Sequence, residues 1–164
     1  MAVRKVAVER FSLTATAPFE TVVARIDAAV GHPDLRAFLA ALGAAPNFAA
    51  LEAIVAQAVA PSGMMEFARF DSGAVLGKDR RGAAPKLLRM LIGNPVIMKQ
   101  MAQHVPDAAS YAPVTILIDE RPDGVHLSYD RMASLLAGYG SAEALTVARD
   151  LDQKLERLLT AAAA

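Results

Sequence analysis

Residues 129–132, Tyr-Asp-Arg-Met, set a phenol, a carboxylate and a guanidinium on consecutive positions at the end of an alternating apolar run. Grouped at the mouth of a cleft, such side chains can hold a polar ligand or move a proton. Tyr111 and Tyr139 are the other two phenols of the chain, and His104 supplies an imidazole, which changes charge near neutral pH. His104, Tyr111, Tyr129, Asp130 and Arg131 therefore form the candidate ligand-binding set. If the protein is an enzyme, a polar cleft around Tyr129, Asp130 and Arg131 is where its chemistry would occur. A structural role competes at each position. An aspartate beside an arginine can close a strand end as an ion pair, and a histidine near a helix C-terminus is favoured by the helix dipole.

Other chemistries fail on residue type or spacing. Cysteine is absent, which removes disulfides, thiolate nucleophiles and cysteine-ligated zinc or iron–sulfur centres. His32, His104 and His126 match no recognised metal-ligand spacing, so no metal and no cofactor are expected. His32 lies in a turn between Gly31 and Pro33, and His126 alternates with Val125 and Leu127, so its ring faces water or a partner. No Gly-x-Ser-x-Gly nucleophile elbow occurs. The run Gly73 to Lys78 invites a phosphate-loop reading. It has three residues between its glycines where that pattern requires four, and Asp79 replaces the Ser or Thr that would hold magnesium. Lys78, Arg80, Arg81, Lys86 and Arg89 remain as a basic segment, either a solvated hairpin loop or a place for an anionic ligand or acidic partner. Asp119 and Glu120 point to opposite faces of a strand. Asp152 and Glu156 share a helix face one turn apart, among Lys154 and Arg157, on what reads as solvated surface.

The composition bounds the rest. The 164 residues suit one ordinary domain, and 54% hydrophobic against 21% charged residues can build a real core. Lys+Arg and Asp+Glu number 17 each, so no sustained positive field exists to hold nucleic acid or an anionic membrane surface. Charges at Arg4, Lys5, Glu9 and Arg10 interrupt the N-terminal segment, and no apolar run approaches the roughly 20 residues of a membrane helix. A cytoplasmic protein with neither nucleic acid nor membrane as partner is expected.

The hydrophobic period changes along the chain. Residues 3–17 read as a first strand, and Phe19, Val22, Val23, Ile26 and Val30 recur at helical spacing, with Thr16 as N-cap and Gly31 as stop. Two shorter helices follow, striped by Leu35, Phe38, Leu39 and Leu42 before Gly43, and by Leu51, Ile54, Val55 and Val59 after the cap Asn47. Residues 63–77 predict a strand, a turn near Asp71–Gly73 and the start of a partner strand; residues 86–93 predict another strand. Asn94 and Pro95 open a helix in which Met98 and Met101 fill the core or line an adaptable apolar pocket. Residues 112–130 form a hairpin about Pro122–Gly124, and an amphipathic helix closes the chain before a frayed Ala161–Ala164 tail. Helices long enough to cover a sheet, together with an antiparallel hairpin, give an α+β fold. The whole chain, 1–164, is read as a single domain carrying a helical insertion at 32–61.

Several of these segments carry a family likeness: Met65 to Leu76, Asn94-Pro95 after a strand, Tyr111-Ala112-Pro113 before the next, Tyr129-Asp130 closing the hairpin, and Leu151-Asp152-Gln153-Lys154-Leu155 in the last helix. Together they resemble the domain of unknown function family DUF302. The resemblance implies an antiparallel sheet covered by helices in a β-α-β4-α-like, TATA-binding-protein-like arrangement, here with two extra helices, and it implies self-association. It brings no catalytic residues. The expected function is a small-ligand or protein-binding module that forms a dimer and takes a small apolar or anionic ligand. An enzyme with the cleft named above and a purely structural homodimer are the alternatives.

Overall fold

The computed structural model describes Met1, residues 3–79 and residues 83–164; Arg80 and Arg81 of the basic segment lie outside the described residues. Strands β1 (Arg10–Ala15), β2 (Met65–Asp71), β3 (Leu87–Gly93), β4 (Val114–Arg121) and β5 (Gly124–Asp130) form one antiparallel sheet in the order β1-β5-β4-β3-β2. The helices among the described residues are α1 (Phe19–Ala29), α2 (Leu35–Ala44), α3 (Phe48–Ala58), α4 (Ser72–Leu76), α5 (Pro95–Ala102), α6 (Met132–Leu136) and α7 (Ala142–Ala163). This is the α+β arrangement of sheet and covering helices that the periodicities predict.

The period of two decides which face is covered. In β5, Val125, Leu127 and Tyr129 are buried while His126, Ser128 and Asp130 are half-buried. β4 repeats the pattern with Val114, Ile116 and Ile118. Register then sets Tyr129 opposite both Phe11 of β1 and Ile116 of β4, so the apolar rows align across the sheet. α1, α5 and α7 pack on that face through Val22, Ile26, Met101, Leu151, Leu155 and Leu159. Each large side chain fully buried here contributes about 1.5–3 kcal/mol. A second cluster joins Phe38 of α2 and Val55 of α3 to Met65 of β2.

Caps fix the element boundaries. Asn94 Oδ1 accepts from Val96 N at 2.8 Å and Ile97 N at 3.3 Å, while its Nδ2 donates to the Gly63 carbonyl at 2.9 Å. That amide is fully engaged in starting α5. Asn47 caps α3 as expected, accepting from Ala50 N at 2.9 Å. In the hairpin, Gly124 has φ 136, and a Cβ there would lie 2.7 Å from the Ala15 carbonyl oxygen of β1, so glycine is required.

Five local expectations are corrected. β1 begins only at Arg10. Pro18, not Thr16, holds the cap position of α1, with no side-chain bond. Gly43 lies inside α2 and does not end it. After Asp71 the chain does not turn into a partner strand. Asp71 Oδ1 accepts from Ala74 N at 2.8 Å and nucleates α4, and β2 pairs instead with Leu87–Gly93. The C-terminal alanines are not frayed: α7 runs to Ala163, and Ala162 is buried against the core. Among the described residues no helix is long and apolar enough to cross a membrane.

Candidate functional site

Alternation separates the Tyr129–Arg131 triplet into three surroundings. Tyr129, on the covered face, hydrogen-bonds Asp152 of α7. Asp130, on the second face, accepts from Arg10 Nε at 2.6 Å and Nη2 at 2.9 Å, a bidentate pair across β1 and β5. The guanidinium holds the Asp130 carboxyl below its ordinary value. Arg131 bonds Glu156 Oε1 at 2.7 Å and Glu9 at 3.2 Å. The ion pair expected within the triplet is therefore replaced by two pairs with distant residues. His104 is exposed and its ring meets the Gln103 amide at 3.1 Å. Tyr111 meets the Tyr139 hydroxyl at 3.1 Å, with Arg4 stacked 4.1 Å from the Tyr139 ring centre.

Part of the candidate set does come together. On the second sheet face, an open groove of about 500 Å³ is bordered by Tyr111, by Asp130 and by Tyr129, whose phenol nevertheless points to the covered face; His104 and Arg131 do not line it. Its floor is Leu91 of β3 and Leu117 of β4. The segment Ser110–Pro113, which contains the cis Ala112–Pro113 bond, forms one wall and Leu135 of α6 another. Arg89 rises from the floor beside Leu117, its cross-strand partner, and lies 5.5 Å from the Phe70 ring centre. Among the described residues Arg89 has no carboxylate partner within 4 Å, whereas Arg10 in the same groove is committed to Asp130. The groove thus offers an apolar floor, one paired and one uncommitted guanidinium, and hydroxyls from Ser128 and Thr115.

Asp152 escapes a reading of the sequence and is the most consequential polar group in the fold. It is 5% exposed, the one buried charged residue among the described residues. Its Oδ1 accepts from the Tyr129 hydroxyl and from Met132 N at 2.7 Å, and its Oδ2 from Ala133 N at 3.0 Å. The carboxylate thereby caps α6, whose first amides have no side-chain cap of their own. Burial holds its carboxyl above the ordinary aspartate value, partly offset by the donated hydrogen bonds. Burial, with the neighbouring Asp152 charge, likewise pushes the Tyr129 phenol up. Asp152 and Glu156 are not a surface pair: Asp152 stands in the stripe with Ala148, Leu155 and Leu159.

The spacing of the histidines gives His32 no metal-ligand neighbours. The turn it occupies nevertheless brings it to Asp27 at the end of α1 and to Glu66 of β2; one ligand atom from each of the three lies within 4.8 Å of the others. Arg69 bonds both carboxylates and is held further toward its charged form by them.

The profile of the family described as domain of unknown function DUF302 matches residues 44–162. A crystal structure of an uncharacterized conserved DUF302 protein from Bacillus stearothermophilus is similar with a TM-score of 0.65 at 8% identity, covering 93% of this chain and 97% of that one. At that identity the likeness is one of fold. No curated protein matches.

Proposed function

Because the chain belongs to the DUF302 family, over residues 44–162, and that membership brings no reaction with it, we propose a function from the chain's own surface: a module that binds a small amphipathic anion in the groove of the second sheet face. The carrying observation is Arg89, a guanidinium uncommitted among the described residues, beside an apolar floor of Leu91 and Leu117. A ligand anion there would gain a charge-assisted hydrogen bond, and its apolar part would cover the leucines. Tyr111, Tyr129 and Asp130 border this site, with Asp130 held by Arg10 as part of its wall. His104 and Arg131 fall outside it. An enzyme reading gains less support, because the three polar groups of the sequence triplet point into different surroundings.

Decanoate is a suitable probe, having one carboxylate and an apolar chain. Added well above its dissociation constant, it is expected to raise the melting temperature by several degrees, since ligand at about 100 Kd stabilises by about 2.7 kcal/mol. Decanol, without the charge, is expected to do markedly less. Arg89→Gln is expected to weaken decanoate binding roughly tenfold or more, from the loss of a charged hydrogen bond. Equal binding of decanoate by both proteins would overturn the reading.

Self-association is the second part of the proposal. β2 is an edge strand, and Phe70, Val75 and Leu76 beside its end are 48%, 72% and 50% exposed, an apolar patch suited to a second copy. Light scattering at about 100 µM, far above a typical micromolar dimer constant, is expected to give twice the monomer mass, and Phe70→Glu to halve it. A monomer for the unaltered chain would remove this part. The proposal also takes 1–164 as one domain acting in the cytoplasm, with 32–61 inserted and held on β2 through Phe38, Val55 and Met65.

A further inference from the structure

We propose that Asp27, His32 and Glu66 form a binding site for a divalent transition-metal ion of the zinc class, with Arg69 as its outer partner. The site is independent of the sheet groove. Its backbone is fixed from three sides. Gly31 N donates to Met64 O at 2.9 Å and Glu66 N donates to Gly31 O at 2.8 Å, so the residues flanking His32 and Glu66 are tied to each other. Asp27 is in the last turn of α1, a helix held by buried Val22 and Ile26.

The histidine is oriented as a ligand would be. Its Nε2 lies 3.1 Å from the Asp27 backbone carbonyl, which can only accept. Nε2 therefore carries the hydrogen, and in the neutral ring Nδ1 keeps its lone pair. Metal-bound histidines are held in this way, by donation of the other ring N–H to a carbonyl or carboxylate. Nδ1 faces Glu66 Oε2 at 3.9 Å. A lone pair opposite a carboxylate oxygen is two acceptors facing one another, an arrangement that a cation between them relieves. One imidazole nitrogen and two carboxylate oxygens suit a borderline ion such as zinc or nickel better than magnesium or calcium, which prefer oxygen alone.

Arg69 is the competitor that any metal must meet. Its Nη2 contacts Asp27 Oδ1 and Glu66 Oε2, the oxygens that also lie 3.9 Å from the imidazole. Of its other nitrogens, Nη1 reaches Asp27 Oδ2 at 3.3 Å and Nε lies 3.2 Å from both Glu66 oxygens. Because the guanidinium is rigid and planar, Nη2 cannot leave by itself: an ion reaches the inner oxygens only when the whole group swings outward, from where it can still bond the outer oxygens Asp27 Oδ2 and Glu66 Oε1. With neutral His32 and Arg69 in place, the cluster carries one net negative charge to receive the ion.

Titration calorimetry of the full chain with zinc chloride, and separately nickel chloride, tests this against magnesium and calcium chloride. One ion per chain with micromolar affinity is expected for zinc and nickel, and no heat for magnesium or calcium. His32→Ala is expected to weaken zinc binding at least about tenfold, the range that loss of even an outer partner costs. Circular dichroism is expected to show the variant folded, since the His32 side chain is 44% exposed and lies outside the apolar core. Arg69→Gln is expected to tighten binding several-fold by removing the competing cation. The proposal is overturned by absence of zinc binding in the unaltered chain, by affinity unchanged in His32→Ala, or by binding confined to Arg69→Gln, which would make Arg69 the resident cation.

Discussion

Asp152→Ala is expected to destabilise the fold by about 3–5 kcal/mol, as the Tyr129 hydroxyl and Ala133 N lose their acceptor, Met132 N keeps only the Tyr129 hydroxyl oxygen at 3.0 Å, and each orphaned buried polar group costs about 1–3 kcal/mol. In a chain of this size that corresponds to a fall of roughly 10 °C in melting temperature. The donors are the Tyr129 hydroxyl and the amides of Met132 and Ala133. The amides are the otherwise uncapped start of α6, and the hydroxyl ends a β5 side chain that is 1% exposed, so water cannot readily replace the carboxylate there. A graded series tests the assignment by urea unfolding. Asp152→Asn keeps one acceptor but turns an amide N–H₂ toward donors, and is expected to cost about 2 kcal/mol. Tyr129→Phe leaves the two amides capped and removes one hydroxyl, expected at about 1 kcal/mol. Glu156→Ala breaks only the partly exposed pair with Arg131 and is expected to cost under about 1 kcal/mol. Equal losses for Asp152→Ala and Glu156→Ala would mean that Asp152 is the surface residue its neighbours Gln153 and Lys154 suggest.

The same carboxyl has a signature in pH. Its folded-state value is raised, so between the unfolded value near 3.9 and that higher folded value the native protein holds the proton more tightly than the unfolded chain. Over that window its contribution to stability falls as pH rises. Asp130 has the opposite sign: Arg10 lowers its folded value, so its contribution is present above the unfolded value and is lost as pH falls through the folded one. The penalty of Asp152→Asn relative to the unaltered chain is therefore expected to be largest at acid pH and to shrink as Asp152 ionises.

How far these residues are legible in the sequence depends on whether their partners are local. The hairpin of β4 and β5 follows from alternation alone, because Val114 to Ile118 and Val125 to Tyr129 each decide their own face. Asn94 is legible because a cap bonds within three residues of itself. Asp71 is also a cap, yet its sequence reads as a turn between strands: an aspartate followed by Ser-Gly suits both, and what selects the helix is pairing of β2 with a segment farther on. Asp152 carries a signal that is easily passed over. It repeats Ala148 at four residues and precedes Leu155 by three, which is the buried stripe, and a charged residue in that stripe must have a partner. For Asp27, His32 and Glu66 no such signal exists. Their meeting depends on the Gly31–Met65 bridge, a contact between segments whose separation no periodicity encodes. The same holds for Arg10 with Asp130, joined only by the pairing of the first strand with the last.

At that bridge a single methyl group is expected to do severe harm. A Cβ on Gly31 would fall inside the radius of the Ala58 carbonyl oxygen, 3.0 Å from its carbon and 3.1 Å from Val59 Cα, all backbone atoms at the end of α3. None of these can turn aside as a side chain would. Gly31→Ala must either push α3 away from β2, opening the cluster of Phe38, Val55 and Met65, or pull Gly31 from its bonds to Met64 and Glu66. Either is expected to cost about 3 kcal/mol, the upper range of overpacking, and to weaken zinc binding by displacing His32 from Glu66. Gly43→Ala is the matched control. Gly43 lies within α2, and a methyl added there would meet nothing within 4 Å, so alanine is expected to stabilise by about 0.5–1 kcal/mol. In sequence the two glycines look alike, each following an apolar helical stripe. Opposite signs in urea unfolding would show that what distinguishes them is the close approach of Gly31 to the end of α3. Equal small effects would mean that α3 is free to move there, and the placement of His32 against Glu66 would lose its anchor.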